Sequence, residues 1–537
     1  MNALGRLRAS LDANPWLAMF LLLPFLGILP PVPIDETRYL SIAWEMRQSG
    51  ELITLHLNGF PYFDKPPLLF WLLNLDWSLF GVSLWGARVL PVLFAAGCIA
   101  VVQKLERGLD RDAAGQAPWL MLGFLYFQLF AGVVMFDVLL CFCVLLAFLA
   151  VMQWMRDGSR HALWLMFLGS ALGMLAKGPV VLLHLLPPIV LARWWVLSEA
   201  SRPSWGRIGV AVLFVVLGGV PVLLWALAAV KHLGLADAKE LLVTQTAGRV
   251  VESFAHNRAL WWYLQWLIPL LLPWPLVLRW SRLRTAHAVT MSSMAARFGL
   301  CATLPAFIGF SLVSGKQLHY LIPLFPGLCL WLGALLRHDP RLLASRRMLA
   351  FSVLVAALLL WAYLRPGDMT PMPVSPGVVK ALFTLTATLV VLSILLLLRP
   401  NELMPERRVA WAMLFLTIAL LPLIRTQALG VMDLRGLAQT VAQMRQEGVP
   451  LVRAGNEPGL ITFLARLPEP LSTTDDPPQW ARQHPDGFLL VWSSHALPAG
   501  TQHLTRVANG WVGLRPASAW SAAPSGQATS PAETAVR

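Results

Sequence analysis

Between Pro33 and Pro67 the chain reads PVPIDETRYLSIAWEMRQSGELITLHLNGFPYFDKPP, a stretch dense in ionisable and turn-forming residues between long apolar runs. Asp35, Glu36 and Arg38 follow an apolar run from Trp16 to Ile34, and Asp64 and Lys65 stand just before the next one. Two acid–base groups on one short connection are a candidate site, because ionisable groups at a membrane boundary are costly to place and tend to be functional. Asp35, Glu36, Asp64 and Asp137 could orient an acceptor hydroxyl, act as general base or bind a metal. Arg38, Lys65, Lys177, Arg249, Arg258 and Lys316 could hold a phosphate or pyrophosphate. Tyr39, Tyr62 and Tyr320 have a plainer alternative as interfacial belt aromatics. Among His56, His256 and His319, His256 lies nearest the acids in type and setting and could join a carboxylate around a zinc ion.

These residues need elements to carry them, and composition says what kind. The chain has 537 residues, 57% hydrophobic and 13% charged. That balance excludes a soluble globule and defines a polytopic α-helical membrane protein. The formal charge of +14 would suit a nucleic-acid binder. Here the Lys and Arg residues sit mostly in short gaps between apolar runs, where they set topology and argue against nucleic acid as a partner. The cysteines at 98, 141, 143, 301 and 329 all lie inside apolar runs and read as small buried hydrophobes. Arg6 and Arg8 precede an apolar run with no small-residue cleavage site before Asp35, which reads as a retained first span.

With roughly 20 apolar residues per crossing, the pattern predicts about thirteen spans. They fall near 15–34, 84–102, 118–135, 137–155, 162–176, 178–197, 208–230, 260–280, 296–313, 318–336, 348–364, 378–398 and 409–425. Leu68–Phe80 is too short to cross and reads as an interfacial helix. Alternate gaps are basic, holding for example Arg156 and Arg160, or Arg337, Arg341, Arg346 and Arg347, and these would be cytoplasmic along with the N-terminus. Asp137 and Lys177 each stand midway along an apolar run long enough for two crossings. A charge at mid-bilayer costs about 2.5–3.5 kcal/mol, so each is expected at the tip of a hairpin on the opposite face. Residues 1–425 would form the membrane part and 426–517 a small extracytoplasmic α/β domain. In that domain helices are expected at Leu434–Glu447 and Pro458–Leu467, and strands at Pro450–Arg453, Phe488–Trp492 and Val507–Leu514. The Ser/Ala/Pro-rich tail from 518 to 537 reads as disordered.

An acid–base cluster on an extracytoplasmic membrane face suits an activated substrate carried on a lipid phosphate. Group transfer from such a donor therefore stands beside two alternatives. A transporter or lipid flippase would spread charges through the midplane and break helices in matched halves. A scaffold would tolerate replacement of its surface acids.

Several motifs together go further: DETRY at 35–39, NGFPYFDKPPLLFWL at 58–72, Asp137 alone on its hairpin, AKGP at 176–179, TAGRVVESFAHNRALWWY at 246–263 and SGKQLHYLIPLFP at 314–326. In this order they resemble the GT-C glycosyltransferases, and within them the bacterial lipid A aminoarabinose transferases and their protein O-mannosyltransferase relatives. The resemblance implies a GT-C fold in the bacterial inner membrane and transfer of a sugar from a polyprenyl (undecaprenyl) phosphate donor to an extracytoplasmic acceptor. That acceptor would be lipid A or a related glycolipid, or a protein. It implies catalytic roles for Asp35 and Asp137, with Glu36 beside them. Donor-phosphate contacts fall to Arg38, Tyr62, Lys65, Lys177, Arg249 and Tyr320. A divalent metal (zinc, magnesium or manganese) would lie near Asp64 and His256. Asp64 stands where the family usually has Glu, and Gln317-Leu318-His319 replaces its usual Leu-Pro.

Overall fold

The computed structural model describes residues 10–110, 115–233, 258–364, 376–398, 403–425, 429–495, 497, 500–507 and 510–521. Its membrane part is helical. Among the described residues, eight stretches are long and apolar enough to cross a bilayer: Leu84–Leu109, Phe136–Asp157, Arg160–Val190, Trp205–His232, Met294–Leu312, Leu318–His338, Lys380–Leu398 and Pro405–Ile424. The count falls short of thirteen partly because expected spans are broken. The run 118–135 divides into helices Gln116–Leu122 and Leu125–Phe130, with Gly123 packed so tightly on Trp274 that a Cβ would lie 2.4 Å from its ring. The run 260–280 breaks into Trp262–Leu270 and Trp274–Val277, where Pro269, Pro273 and Pro275 supply no backbone N–H. The first apolar run forms a 3₁₀ helix only over Pro15–Phe25.

The stretch from Pro33 to Pro67 is more ordered than a loop. It contains helix α1 (Asp35–Ser49), whose first turn carries Asp35 and Glu36 at the positive end of the helix dipole. Gly50, at φ 73°, ends it in the left-handed conformation common after helices. A small hairpin follows, β1 (His56–Leu57) paired with β2 (Phe60–Pro61). Asn58 and Gly59 connect the strands with φ of 57° and 81°, the positive pair that a two-residue hairpin turn of the Asn-Gly kind requires. Helix α2 (Leu68–Phe80) occupies the predicted interfacial segment. Helix α3 (Leu84–Leu109) follows, capped by the Ser83 hydroxyl, which accepts from Gly86 N at 2.9 Å.

Helices α4 (Phe136–Asp157) and α5 (Arg160–Lys177) form an antiparallel pair joined at Gly158, φ 67°. Their backbones nearly touch: a Cβ on Gly169 would lie 2.9 Å from Cys143 O. Because the pair is antiparallel and tightly connected, the first turn of α4 and the last turn of α5 share one end. Just beyond, the chain reverses at Gly178, and Val181 folds back within 2.6 Å of a Cβ placed on Gly173. In a continuous helix those residues would be about 12 Å apart. The chain thus turns back just after Lys177, while Asp137 lies in the first turn of α4, behind the broken segment of Gln116–Leu122 and Leu125–Phe130. Helices α6 (Met294–Leu312) and α7 (Phe325–His338) flank a 3₁₀ turn, Leu318–Leu324, that carries His319 and Tyr320. All cysteines are buried and unpaired, as expected.

Beyond the membrane helices lies a five-stranded mixed sheet. Its order is β4–β3–β5–β7–β6, from β3 (Leu451–Ala454), β4 (Thr473–Thr474), β5 (Phe488–Ser493), β6 (Gln502–Val507) and β7 (Gly510–Pro516). Helix α8 (Arg435–Gln446) packs Leu437 and Val441 against Leu451, Leu490 and Leu514. Two expectations fail here. Val507–Leu514 is shared between antiparallel strands ending at Val507 and beginning at Gly510. Pro458–Leu467 forms turns rather than a helix, since Gly459 adopts φ 79° and its neighbours spend their backbone groups on α1.

Candidate active site

Helix α1 presents Asp35 at its N-terminus, 41% exposed, and one turn on Arg38, whose Nη1 lies 3.9 Å from Asp35 Oδ1. Burial alone would lower the Arg38 pKa. The surrounding Tyr62, Asp35, Tyr39 and Asp64 outweigh that and raise it, so this guanidinium is fixed as a cation. Tyr39, at the next position, is buried; burial and the nearby Asp35 carboxylate push its phenol well above the ordinary value, keeping it neutral. Its ring meets Phe136 edge to face at 4.9 Å, and Phe70 packs on Phe136 at 5.6 Å. This aromatic contact ties α1 and α2 to the N-terminus of α4. Asp137 sits there, next to Phe136.

Asp137 is 2% exposed, at the positive end of α4, and pairs with Lys177 from the end of α5. Its other oxygen lies 3.8 Å from His319 Nε2. The Lys177 ammonium also lies over the ring of Tyr320, 4.1 Å from its centre. His319 stacks on Phe130 at 5.8 Å and is within electrostatic reach of Asp137, Lys177, Asp35 and Lys65. Four separate parts of the sequence thus converge on one end of the helical bundle.

Glu36 departs from its expected role. Arg88 of α3 binds it through Nε at 2.8 Å and Nη2 at 2.6 Å, and the backbone N–H groups of Val32 and Val134 donate to it at 2.8 and 3.0 Å. Arg88 spends its remaining donors on the carbonyls of Leu26, Leu29 and Pro30. Both side chains are 0% exposed. Glu36 fastens the N-terminal segment, α1 and the approach to α4 together and has no face toward a substrate. Lys316 is likewise structural, its ammonium donating to Arg258 O at 3.0 Å and Val313 O at 2.5 Å.

Tyr62 is buried beside Phe70, and Asp64 and Lys65 are half-buried just before α2. His56 lies on β1, held below its usual pKa by partial burial. Arg249 and His256 lie outside the described residues. Among the described residues no three His, Cys, Asp or Glu side chains converge as a metal site. Asp64 stands beside Arg38 instead. The sequence reading passed over Arg88, although an Arg inside an apolar helix is itself a signal of a buried partner. It left His319 as one histidine among three.

What this arrangement can do follows from its charges. Arg38, Lys65 and Lys177 place cations at this end of the bundle, a charge suited to holding an anion. Asp35 remains exposed enough to meet a second reactant.

Comparison with known proteins places the fold. The structure matches the crystal structure of ArnT from Cupriavidus metallidurans bound to undecaprenyl phosphate with a TM-score of 0.69 at 20% identity, covering 95% of this chain and 98% of that one. The apo form of the same protein matches equally, at 0.69. At this identity the likeness is one of fold, and it runs over nearly the whole length of both chains. A family described as dolichyl-phosphate-mannose-protein mannosyltransferase matches residues 64–225. The undecaprenyl phosphate-alpha-4-amino-4-deoxy-L-arabinose arabinosyl transferase of Pseudomonas aeruginosa is 31% identical over 348 residues, 62% of this chain and 61% of that protein. Its counterpart from Edwardsiella ictaluri is 29% identical over 322 residues, 58% and 56% of the two chains. The match thus spans about three fifths of these curated relatives. It upholds the resemblance to GT-C glycosyltransferases of the aminoarabinose transferase type.

Proposed function

We propose that this protein is a glycosyltransferase moving a sugar from an undecaprenyl-phosphate donor to an extracytoplasmic acceptor. By likeness to its relatives the sugar is 4-amino-4-deoxy-L-arabinose. The acceptor is lipid A or a related envelope glycolipid. The protein resides in the bacterial inner membrane, N-terminus cytoplasmic, with the site and the sheet domain in the periplasm. The observation that carries the reading is the convergence of Lys177, Asp137, His319, Asp35 and Lys65 at one end of the bundle. Charges gathered at one end favour a surface enzyme over a flippase, which would need them along the midplane.

In the reaction the bond from the sugar's anomeric carbon to the donor phosphate oxygen breaks, and an acceptor oxygen forms the new bond from the opposite face. The leaving undecaprenyl phosphate gains one negative charge. Arg38, Lys65 and Lys177, with Tyr62 and Tyr320 beside them, hold that phosphate and stabilise the charge as it develops; Arg249, outside the described residues, is given a donor-phosphate contact by the family resemblance alone. Asp137 pairs with Lys177 and aims its ammonium. Asp35 orients the acceptor, deprotonating it when it is a hydroxyl and only positioning it when it is already an anionic phosphate. Glu36 is assigned to the scaffold. The pairing of Asp64 with His256 around a metal remains a separate proposal, and no step here runs through it; chelation of the purified enzyme tests it.

A protein acceptor is the second reading, favoured by the mannosyltransferase family match over 64–225. The experiment is transfer by purified protein from radiolabelled undecaprenyl-phosphate sugars to lipid A, envelope glycolipids and envelope proteins, wild type beside Asp35→Asn. Label entering lipid A only in the wild type supports the reading. Label in protein replaces it with the second. Donor binding without transfer to any acceptor would point to a lipid carrier.

A further inference from the structure

One helical stripe of α1, formed by Arg38, Ser41, Trp44 and Glu45, faces the C-terminal domain. These positions lie three and four residues apart and so share a face. Every one of them is engaged there or in the hairpin beside it. Arg38 Nε donates to Pro458 O at 3.3 Å. The Ser41 hydroxyl donates to Gly459 O at 3.1 Å and accepts from Phe463 N at 3.3 Å. Trp44 Nε1 donates to Leu467 O at 2.7 Å. Glu45 receives the N–H groups of Asn58 and Gly59 at 2.7 and 2.9 Å, fixing the hairpin.

Asn58 completes the connection. Its amide nitrogen donates to Glu457 O at 2.7 Å, and its amide oxygen accepts from Thr462 Oγ1 at 3.2 Å. Buried Glu457 folds its own carboxylate onto Leu460 N at 2.6 Å, closing the strap from 457 to 463 on itself. Trp77 of α2 stacks on Phe463 at 5.2 Å. A polar, buried interface of this kind accepts one register, because a shift would strand several desolvated groups.

The strap also touches the site. Gly459 has φ 79°, and a Cβ there would lie 3.2 Å from Arg38 Cα and 2.6 Å from a Leu57 methyl. Pro458 O takes the Nε of Arg38, which fixes the plane of the guanidinium and turns its terminal nitrogens toward the Asp35 side, where Nη1 lies 3.9 Å from that carboxylate. That orientation suits two-point binding of a phosphate. We infer that the strap from Glu457 to Phe463 is a positioning element of the active site, holding α1 and aiming Arg38 at the donor phosphate. The inference rests on the reading of Arg38 as a phosphate ligand. It makes the C-terminal domain a working part of the reaction rather than an appendage.

The test is a coupled pair in the full-length protein, Gly459→Ala and Arg38→Ala, singly and together, scored by kcat and donor KM with the melting temperature beside them. Displacements of about 1 Å in a positioning group cost on the order of 10- to 100-fold in rate. Gly459→Ala is expected to lower kcat per folded molecule about 10-fold, with a lowered but still cooperative melting transition because alanine is strained at φ 79°, and to add nothing to the kcat loss once Arg38 is gone. Ser41→Ala, a milder cut of the same strap, should lower kcat about 3-fold by the same route. Full activity in both strap variants, or effects that multiply independently of Arg38, would overturn the inference. Full activity in Arg38→Ala would overturn the phosphate-ligand reading beneath it.

Discussion

Asp35 and Glu36 are neighbours in the chain with opposite fates. Glu36 and Arg88 are sealed at 0% exposure, every donor and acceptor matched, and they hold three segments in place. Asp35, 41% exposed, stands within electrostatic reach of His319, at the end where Asp137 and Lys177 gather. The one-residue step of an α-helix turns the side chain by about 100°, from the protein interior to the mouth of the site. The lesson is that ionic groups in a membrane protein divide by what remains unspent. A charge whose bonds are all made inside the protein supports the fold, and one with bonds left over can do chemistry.

If that division is right, the two clusters fail differently. Lys177→Met removes a cation from the phosphate and strands Asp137. Transfer per folded molecule should fall about 10³-fold, as when a preorganised charge-stabilising group is lost, and some stability goes with it because Asp137 is nearly buried. Arg88→Met should do the reverse, costing about 3–5 kcal/mol of stability by leaving Glu36 buried and unpaired. Thermal unfolding in detergent with a per-molecule activity assay separates them. Replacing both partners, Glu36→Gln with Arg88→Met, should recover part of that loss. His319→Gln keeps a polar group beside Asp137 and should cost about 10-fold in transfer, scored as kcat.

The smallest effect concerns pH. Burial raises Glu45 and Glu457 above their ordinary 4.5, against the backbone N–H bonds that favour their charged forms. The docked state therefore binds protons more readily than the undocked one. Docking gains as pH falls through the raised values toward 4.5 and loses as pH rises beyond them. Hydrogen exchange at the amides of Leu460 and Phe463 should be better protected, after correction for the intrinsic rate, near pH 5 than near pH 8. The opposite order would contradict it.

Much of this was legible in the chain. The fold-back after Lys177 and the place of Asp137 at a helix end accord with the cost of a charge at mid-bilayer, and Leu68–Phe80 with an apolar run too short to cross between Pro67 and Gly81. The Asn58-Gly59 turn is an equally local signal, since Asn-Gly suits the positive φ pair of a two-residue hairpin turn. The ion pair of Glu36 with Arg88 was not legible in that way. Arg88 signals that a partner exists, but nothing local says which acid, 52 residues away, it will find. The segment from Pro458 to Leu467 misled for a related reason. Its apolar spacing suits a helix, while its backbone is recruited by a stripe on α1 some 420 residues earlier in the chain. Breaks at Gly123 and the prolines after Ile268 likewise depend on which side chains arrive from elsewhere.

The most direct measurement is the affinity of purified protein for undecaprenyl phosphate, wild type beside Lys177→Met and Arg88→Met, each normalised to its folded fraction. Loss of binding by at least about 10-fold in Lys177→Met, with wild-type affinity in the folded part of Arg88→Met, is the result predicted. Equal affinity in Lys177→Met and wild type would contradict the assignment of the open cluster to the donor phosphate.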